Sequence, residues 1–417
     1  MLSTLKNIFW HLPQAIFWNL YYGRPSRKLT LIGVTGTDGK TTTCTLLQKL
    51  LENNGLKCGI ISTITSPGLH TTSPPPKVLQ KIFADYQRSG FTHVVCEVTS
   101  HALSQYRYFG THFKVALITN ITHEHLDYHK TMDNYVRAKA KLFTQSEVAI
   151  LNHDDDYYQD ISRLIHVPQI TYGIKNKSDF TAQKIKLTST QLSFTVNNQK
   201  MITDSNYDYQ TYNILAALAA YQQLNLDTAI FSQTIRHFPN SKGRREIVDN
   251  DLGFRTIVDF AHTPNSLDHT LSSLKKTSKG RLIVIFGATG GRDPSKRPLM
   301  GQIASKLADI AIITADDTRE EKIETINQQI IAGIDLDKSQ KIDPEHPEIS
   351  DPKKFHYADI PNRQNAFNLA IALAKAGDTI VACGKGHETS ILHGKTDYPW
   401  SEAEAFRTAF RLKNEHV

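Results

Sequence analysis

Lys28-Leu29-Thr30-Leu31-Ile32-Gly33-Val34-Thr35-Gly36-Thr37-Asp38-Gly39-Lys40-Thr41-Thr42-Thr43-Cys44-Thr45 decides the fold. Leu29 to Thr35 is short, apolar and β-branched, the composition of a buried parallel strand. A helical pattern runs from about Thr42 to Asn53. Strand, glycine loop, Lys-Thr and helix, in that order, form the context of a phosphate-binding loop. Gly36 and Gly39 let the backbone wrap a phosphate with its N–H groups inward. The helix N-terminus adds partial positive charge. Thr37, Asp38, Gly39, Lys40, Thr41 and Thr42 are therefore candidates to hold phosphates. Lys40 would reach the β- and γ-phosphates, and the Thr41 hydroxyl would bind Mg²⁺. Strict spacing requires glycine at the position of Val34; the glycines stand at 33 and 36 instead. The plain alternative is an ordinary glycine-rich strand–helix turn.

Outward from this loop, 417 residues suffice for two or three domains with large cores. A hydrophobic content of 40% and a charged content of 21% are those of a soluble globular protein. The net charge of +7 suits an anionic partner. No dense Lys/Arg run with interleaved aromatics occurs, so nucleic acid is not expected to be that partner. Cys44, Cys58, Cys96 and Cys383 have neither metal nor disulfide spacing and read as reduced core residues of a cytoplasmic protein.

Residues 1–28 contain Ile8-Phe9-Trp10, Ala15-Ile16-Phe17-Trp18 and Tyr21-Tyr22, interrupted by Lys6, His11, Pro13 and Arg24. This is too short and too broken for a spanning helix, and it lacks the pattern of a signal peptide. A helical arm packed on the main domain is expected, with weak contact to a membrane surface as the second reading. Residues 29–243 alternate strands with helices and read as a doubly wound α/β domain with ligands at the carboxyl ends of its strands. Polar–apolar alternation across 180–202 predicts an antiparallel flap. Pro239 to Gly243 reads as a linker. A smaller Rossmann-like α/β domain occupies 244–417, and residues 334–357 read as a surface loop.

Chemistry-bearing residues gather at predicted strand ends. Glu97 closes one strand and is a candidate Mg²⁺ ligand, since hard cations prefer oxygen. Asn120 to His129 packs three histidines and two acids into ten residues. That run resembles the H-x-H-x-D-H of a dinuclear metallohydrolase with its last histidine displaced by one; a shared Mg²⁺ and phosphate site is the other reading. Lys139 follows His125 by fourteen residues and would, taken alone, be a surface lysine. Asp259 to Pro264, Gly287 to Asp293, Asp316 to Arg319 and Gly384 to Glu388 end four further strands in polar, glycine-rich turns, the layout of a ligand-lined edge.

These runs, with that from Gly287 continued to Pro298, together with Thr71 to Pro74, Glu97 to Leu103, Tyr135 to Lys139, Tyr212 to Ala217 and Gly243 to Glu246, occur in an order that resembles the Mur ligase family of ATP-dependent amide-bond ligases, and within it the enzymes that add the third residue of the peptidoglycan stem peptide. The resemblance implies ATP and Mg²⁺ as cofactors. Lys40, Glu97, His125 and Lys139 would be catalytic, with Thr41, Glu97, His125 and a carbamylated Lys139 around metal. Asn120, Asn213, Arg244, Asp259 and His262 would contact the nucleotide. Thr71, Thr72, Thr99, Ser100 and Arg107 would hold a nucleotide-linked muramyl dipeptide. Arg292, Asp316, Asp317, Arg319, Gly384 and Glu388 would hold the incoming diamino acid, with meso-diaminopimelate expected over lysine because Arg319 can pair with a second carboxylate. A monomeric enzyme is expected.

Three features depart from the family pattern. Its enzymes carry a UDP-holding domain ahead of the first strand, where this sequence has residues 1–28. An Arg-Asp-His-Leu-Asp run reads His123-Glu124-His125-Leu126-Asp127, and Asp-Asn-Pro-Arg reads Asp316-Asp317-Thr318-Arg319. The alternatives are a related ligase acting on another carboxylate, of the folylpolyglutamate synthetase kind, and a non-catalytic nucleotide-binding protein of the cell wall.

Overall fold

A computed structural model describes residues 6–62, 72–188, 190–205, 207–238, 242–349 and 351–415. The chain forms two compact units. Met1–Thr122 with His129–Pro239 make the first; His123–Tyr128 with Asn240–Val417 make the second.

The first unit is built on a parallel sheet ordered β2-β3-β1-β4-β5-β6-β7: β1 (Thr30–Thr35), β2 (Cys58–Ile61), β3 (His93–Glu97), β4 (Phe113–Ile118), β5 (Ser146–Asn152), β6 (Gln169–Gly173) and β7 (Phe180–Thr181). The chain winds to one side of β1 through β2 and β3, then crosses to β4 on the other side. That reversal puts the loop after β1 at the crevice where open parallel sheets bind ligands. Leu31, Ile32 and Val34 are buried on both faces, which explains the unbroken apolar run. The helix Lys40–Asn53 lays Leu46, Leu47, Leu50 and Leu51 against the sheet at helical spacing. The helix Gln210–Gln222 is buried nearly all round, from Asn213 to Tyr221. Of the flap expected over 180–202, Phe180–Thr181 instead join the parallel sheet as β7, and the rest is the antiparallel sheet of β8 (Gln183–Leu187), β9 (Leu192–Val196) and β10 (Gln199–Thr203), with Leu192, Phe194 and Val196 turned inward.

The arm is helical over Leu12–Tyr21 and packs through Ala15 and Asn19; the Asn19 Nδ2 donates to Phe109 O at 3.0 Å. Its opposite face leaves Phe9 73% and Trp10 61% exposed. No helix among the described residues is long and apolar enough to cross a membrane.

The second unit has a mixed sheet ordered β11-β12-β17-β13-β14-β16-β15: β11 (Glu246–Ile247), β12 (Arg255–Asp259), β13 (Leu282–Phe286), β14 (Ile310–Ile313), β15 (Ser339–Lys341), β16 (Phe355–Asp359) and β17 (Thr379–Cys383). Only β11 runs antiparallel. The stretch 334–357, expected as a surface loop, instead carries β15 and the start of β16. β15 is a polar edge strand, and in β16 the buried His356 interrupts the apolar pattern, so neither has a readable periodicity. A small hairpin, β18 (Ser390–His393) and β19 (Thr396–Pro399), follows.

Candidate active site

The loop after β1 is held by its surroundings. Gly36 has φ +142° and Gly39 +82°; a Cβ on Gly36 would lie 1.8 Å from Thr119 Oγ1, and one on Gly39 2.5 Å from Asn213 Oδ1. Both positions therefore exclude a side chain on conformation and on space. Asn120 braces Asp38 twice: its Oδ1 accepts from the Asp38 N–H at 2.9 Å and its Nδ2 donates to the Asp38 carbonyl at 3.0 Å. Thr37 donates its N–H to Asn120 O at 2.9 Å, and its hydroxyl lies 3.1 Å from the Tyr135 hydroxyl. Asn213 underlies the loop, accepting from Thr43 Oγ1 and donating to Gln210. Lys40 and the buried Thr41 and Thr42 start the helix, and Lys40 Nζ donates to Thr37 O at 2.7 Å.

Pairing of β1 with β3 sets Glu97 beside Val34, just below the loop. There the Thr41 hydroxyl donates to Glu97 Oε2 at 3.0 Å. A cradle closed to any Cβ, a lysine, and a hydroxyl paired with a carboxylate fit a nucleotide with its divalent cation. Lys139 is no surface lysine: it is 1% exposed, its Nζ donates to Gly36 O at 2.6 Å, and it lies 4.3 Å over the Tyr135 ring.

At the same carboxyl edge, Ser73 Oγ donates to Glu97 O at 2.9 Å and accepts from the Thr99 N–H at 3.1 Å. Arg107 Nη1 donates to Ser73 O. The Thr99 hydroxyl caps the next short helix by accepting from Ala102 N at 3.2 Å. Ser100 Oγ lies 3.0 Å from His129 Nε2, and burial, with His101 beside it, pushes that imidazole down to about 3. Ser73, Thr99, Ser100 and Arg107 thus share one edge with Glu97, with Thr72 next to Ser73 in the chain; Thr71 lies outside the described residues.

The segment His123–Tyr128, which contains His125, packs as part of the second unit. His123 Nε2 meets Ser295 Oγ at 3.0 Å and Asp293 Oδ2 at 3.2 Å. Buried Glu124 takes the buried ammonium of Lys296 at 3.1 and 3.4 Å, and Lys296 also donates to His262 O at 3.1 Å. The extra methylene of Glu124 thus serves an ion pair. His125 has φ +60°, with its Nδ1 3.8 Å from Glu124 Oε1. His123 and His129 have different partners, which does not favour the metallohydrolase reading.

Asp259 is spent on its own turn, accepting from the N–H groups of Arg245 and Ala261 at 2.9 Å each. Arg244 lies 4.4 Å over the Phe260 ring, which also packs on His262 and His387. Arg244 and His262 thus share an aromatic and cationic corner.

Arg292 and Arg319 are half-buried neighbours. Burial opposes the charge of Arg292, and Arg319 adds to that, against the pull of Asp127, Glu124 and Asp317. Arg319 has φ +51°, and its buried Nε has no hydrogen-bond partner. Close by in sequence, Asp317 Oδ1 accepts from Lys385 Nζ at 2.7 Å and from Leu392 N at 2.9 Å, and Lys385 also reaches Glu388 Oε2 at 2.5 Å. Burial works against the Asp316 charge, but Lys385 and Arg363 outweigh it and hold that carboxyl low. Glu388 goes the other way: burial, and then Asp316, lift it to about 7 although Lys385 opposes. Three carboxylates around one ammonium leave surplus negative charge, the requirement for seating a second cation. Ionised Glu388 therefore increases across pH 7, and KM for an amine substrate should fall as pH rises through that value. A pH profile of KM should lose this limb in Glu388→Gln; an unchanged limb would exclude Glu388 as its source.

Sequence reasoning missed Lys296, Lys385 and the buried pair of Arg363 with Glu402. Arg363 also donates to Ala315 O at 2.7 Å and Cys383 O at 2.9 Å, tying together the ends of β14 and β17. Lys296 and Lys385 lay within noted runs; Arg363 and Glu402 have no local signal.

The Mur ligase middle domain matches residues 34–221, and the Mur ligase, glutamate ligase domain matches residues 243–386. The UDP-N-acetylmuramoyl-L-alanyl-D-glutamate--2,6-diaminopimelate ligase of Geobacillus kaustophilus is 35% identical over 95% of this chain and 82% of its own length. That of Aquifex aeolicus is 37% identical over 93% of this chain and 78% of its own. A solved structure of a ligase of that name is similar at a TM-score of 0.60 with 28% identity, covering 93% of this chain and 79% of its own. The folylpolyglutamate synthase of Mycobacterium tuberculosis, solved with ADP and AMPPCP, shares the fold at a TM-score of 0.70 with 16% identity, over 96% of this chain and 95% of its own.

Proposed function

The chain belongs to the Mur ligase family of ATP-dependent ligases, and from that premise we propose that it joins 2,6-diaminopimelate to the glutamyl carboxylate of a UDP-linked muramoyl dipeptide, for peptidoglycan synthesis. A carboxylate is a poor acyl donor. Its oxygen attacks the γ-phosphorus of ATP, ADP leaves, and the amine then displaces phosphate from the acyl carbon with loss of its proton. Lys40 and the loop N–H groups stabilise the charge that moves onto the phosphate oxygens. Thr41 and Glu97 would hold Mg²⁺, with a carbamylated Lys139 as a further ligand, and bound metal supplies Lewis-acid stabilisation of those oxygens. Thr72, Thr99, Ser100 and Arg107 orient the donor.

The observation that carries the choice of amino acid is the Arg292 and Arg319 pair. Two neighbouring guanidiniums, one with a buried donor lacking a partner, are relieved by a carboxylate. Asp316, Asp317 and Glu388 supply the complementary attraction for an ammonium. A diamino dicarboxylic acid brings a carboxylate for each guanidinium; lysine, with a single carboxylate, leaves one of the two unmet. Asp317, where the family has asparagine, is bound by Lys385 at 2.7 Å and belongs to the carboxylate group that faces the ammonium.

The test is kcat/KM for meso-diaminopimelate and L-lysine. Wild type should prefer diaminopimelate, and Arg319→Ala should lower its kcat/KM roughly tenfold to a hundredfold, the cost of a charged hydrogen bond, while lysine changes little. A lysine preference unaffected by the substitution would overturn the assignment.

A further inference from the structure

We propose that the cavity at the amino edge of the first unit's sheet binds the nucleoside diphosphate end of the donor; this rests on the ligase reading above. The cavity has a volume of about 830 Å³, in the range of small-molecule sites. It is lined from the segments that enter β1, β4 and β5, which are neighbours in the sheet, so it opens at the edge opposite the phosphate loop.

Three of its lining residues carry unsatisfied polar atoms. Ser26 Oγ, Thr111 Oγ1 and Gln145 Oε1 are buried without hydrogen-bond partners, and Ser26 and Thr111 are only 1% and 2% exposed. Buried hydroxyls without partners are uncommon and call for a ligand group. The charge lining it is basic: Arg27, Lys141 and His112 contribute, and no Asp or Glu does. The nearby Glu147 is already engaged by His112 at 3.0 Å and Lys114 at 2.5 Å. Two flat apolar groups complete it. Tyr106 carries Lys141 Nζ 4.8 Å over its ring, and Phe109 is 41% exposed. Cations for phosphate oxygens, hydroxyls for a ribose and aromatic faces for a base together describe a nucleoside diphosphate.

The chain itself connects this cavity with the proposed acyl site. Residues 99–111 leave the carboxyl end of β3, where Thr99, Ser100 and Arg107 lie, and return to the amino end of β4 with Tyr106, Phe109 and Thr111. The strands between the two edges are five to seven residues long, about 17–23 Å, a span that an extended nucleotide-linked sugar peptide can bridge.

Titration of the full chain with UDP, followed by calorimetry, tests this. Wild type and Lys40→Ala should bind UDP equally. Arg27→Ala with Lys141→Ala, and separately Thr111→Val, which removes one hydroxyl at constant shape, should each weaken UDP tenfold or more. Kinetically, the Arg27→Ala and Lys141→Ala double variant should raise KM for the UDP-linked donor about tenfold with kcat and KM for ATP unchanged. UDP binding that is absent, or lost in Lys40→Ala and retained in the cavity variants, would overturn the proposal. A donor KM unchanged in the cavity variants of an active ligase would overturn it too, leaving the ligase reading intact. If wild type turns over no donor with diaminopimelate, the ligase reading falls, and with it the proposal.

Discussion

Lys40→Ala should lower ATP turnover at least about a hundredfold, the scale seen when a single group stabilising transition-state charge is removed. Lys40 begins the helix after a loop whose two glycines can accept no side chain, and its ammonium spans only to the carbonyl of Thr37, at 2.7 Å. That contact is local and half-exposed, so the fold should be unaffected, with stability changing by about 0.5 kcal/mol or less. Turnover measured beside a thermal melt checks both halves. Wild-type turnover in the variant would remove the phosphate-loop assignment.

Lys139→Ala should be as damaging, for a different reason. Lys139 is buried, with its Nζ 2.6 Å from the Gly36 carbonyl. A neutral lysine amine is the form that adds to CO₂, losing a proton to give a carbamate. We propose that the resulting anion serves the metal site. Lys139→Arg, which keeps a cation but cannot form a carbamate, should then be as inactive as Lys139→Ala. Formate or acetate should partly restore Lys139→Ala. Activity in the arginine variant would show that a donor to the loop carbonyl is all the position requires.

How much of this was legible depended on distance along the chain. The phosphate loop was readable because strand, glycines, lysine and helix are contiguous. The polar turns at strand ends were readable because each is a short run. Lys139 was legible only by resemblance: one turn of helix says nothing of a carbonyl about a hundred residues away. Lys296 and Lys385 look like any exposed lysine until the carboxylates that enclose them, Glu124 and Asp317, are brought in from far along the chain. β16 was hidden by the buried His356, which sits where the pattern needed an apolar side chain.

The placement of His123–Tyr128 within the second unit has a bearing on recombination. The backbone passes from one unit to the other after Thr122, after Tyr128 and again after Pro239. A division at the 239–243 segment therefore does not separate two self-sufficient halves. The N-terminal fragment would retain Glu124 without its ammonium, and the C-terminal fragment would leave the buried Lys296 without its carboxylate. Chimaeras made with relatives, or paired fragments meant to reassemble, must treat the hexapeptide and residues 240–417 as a single inherited block.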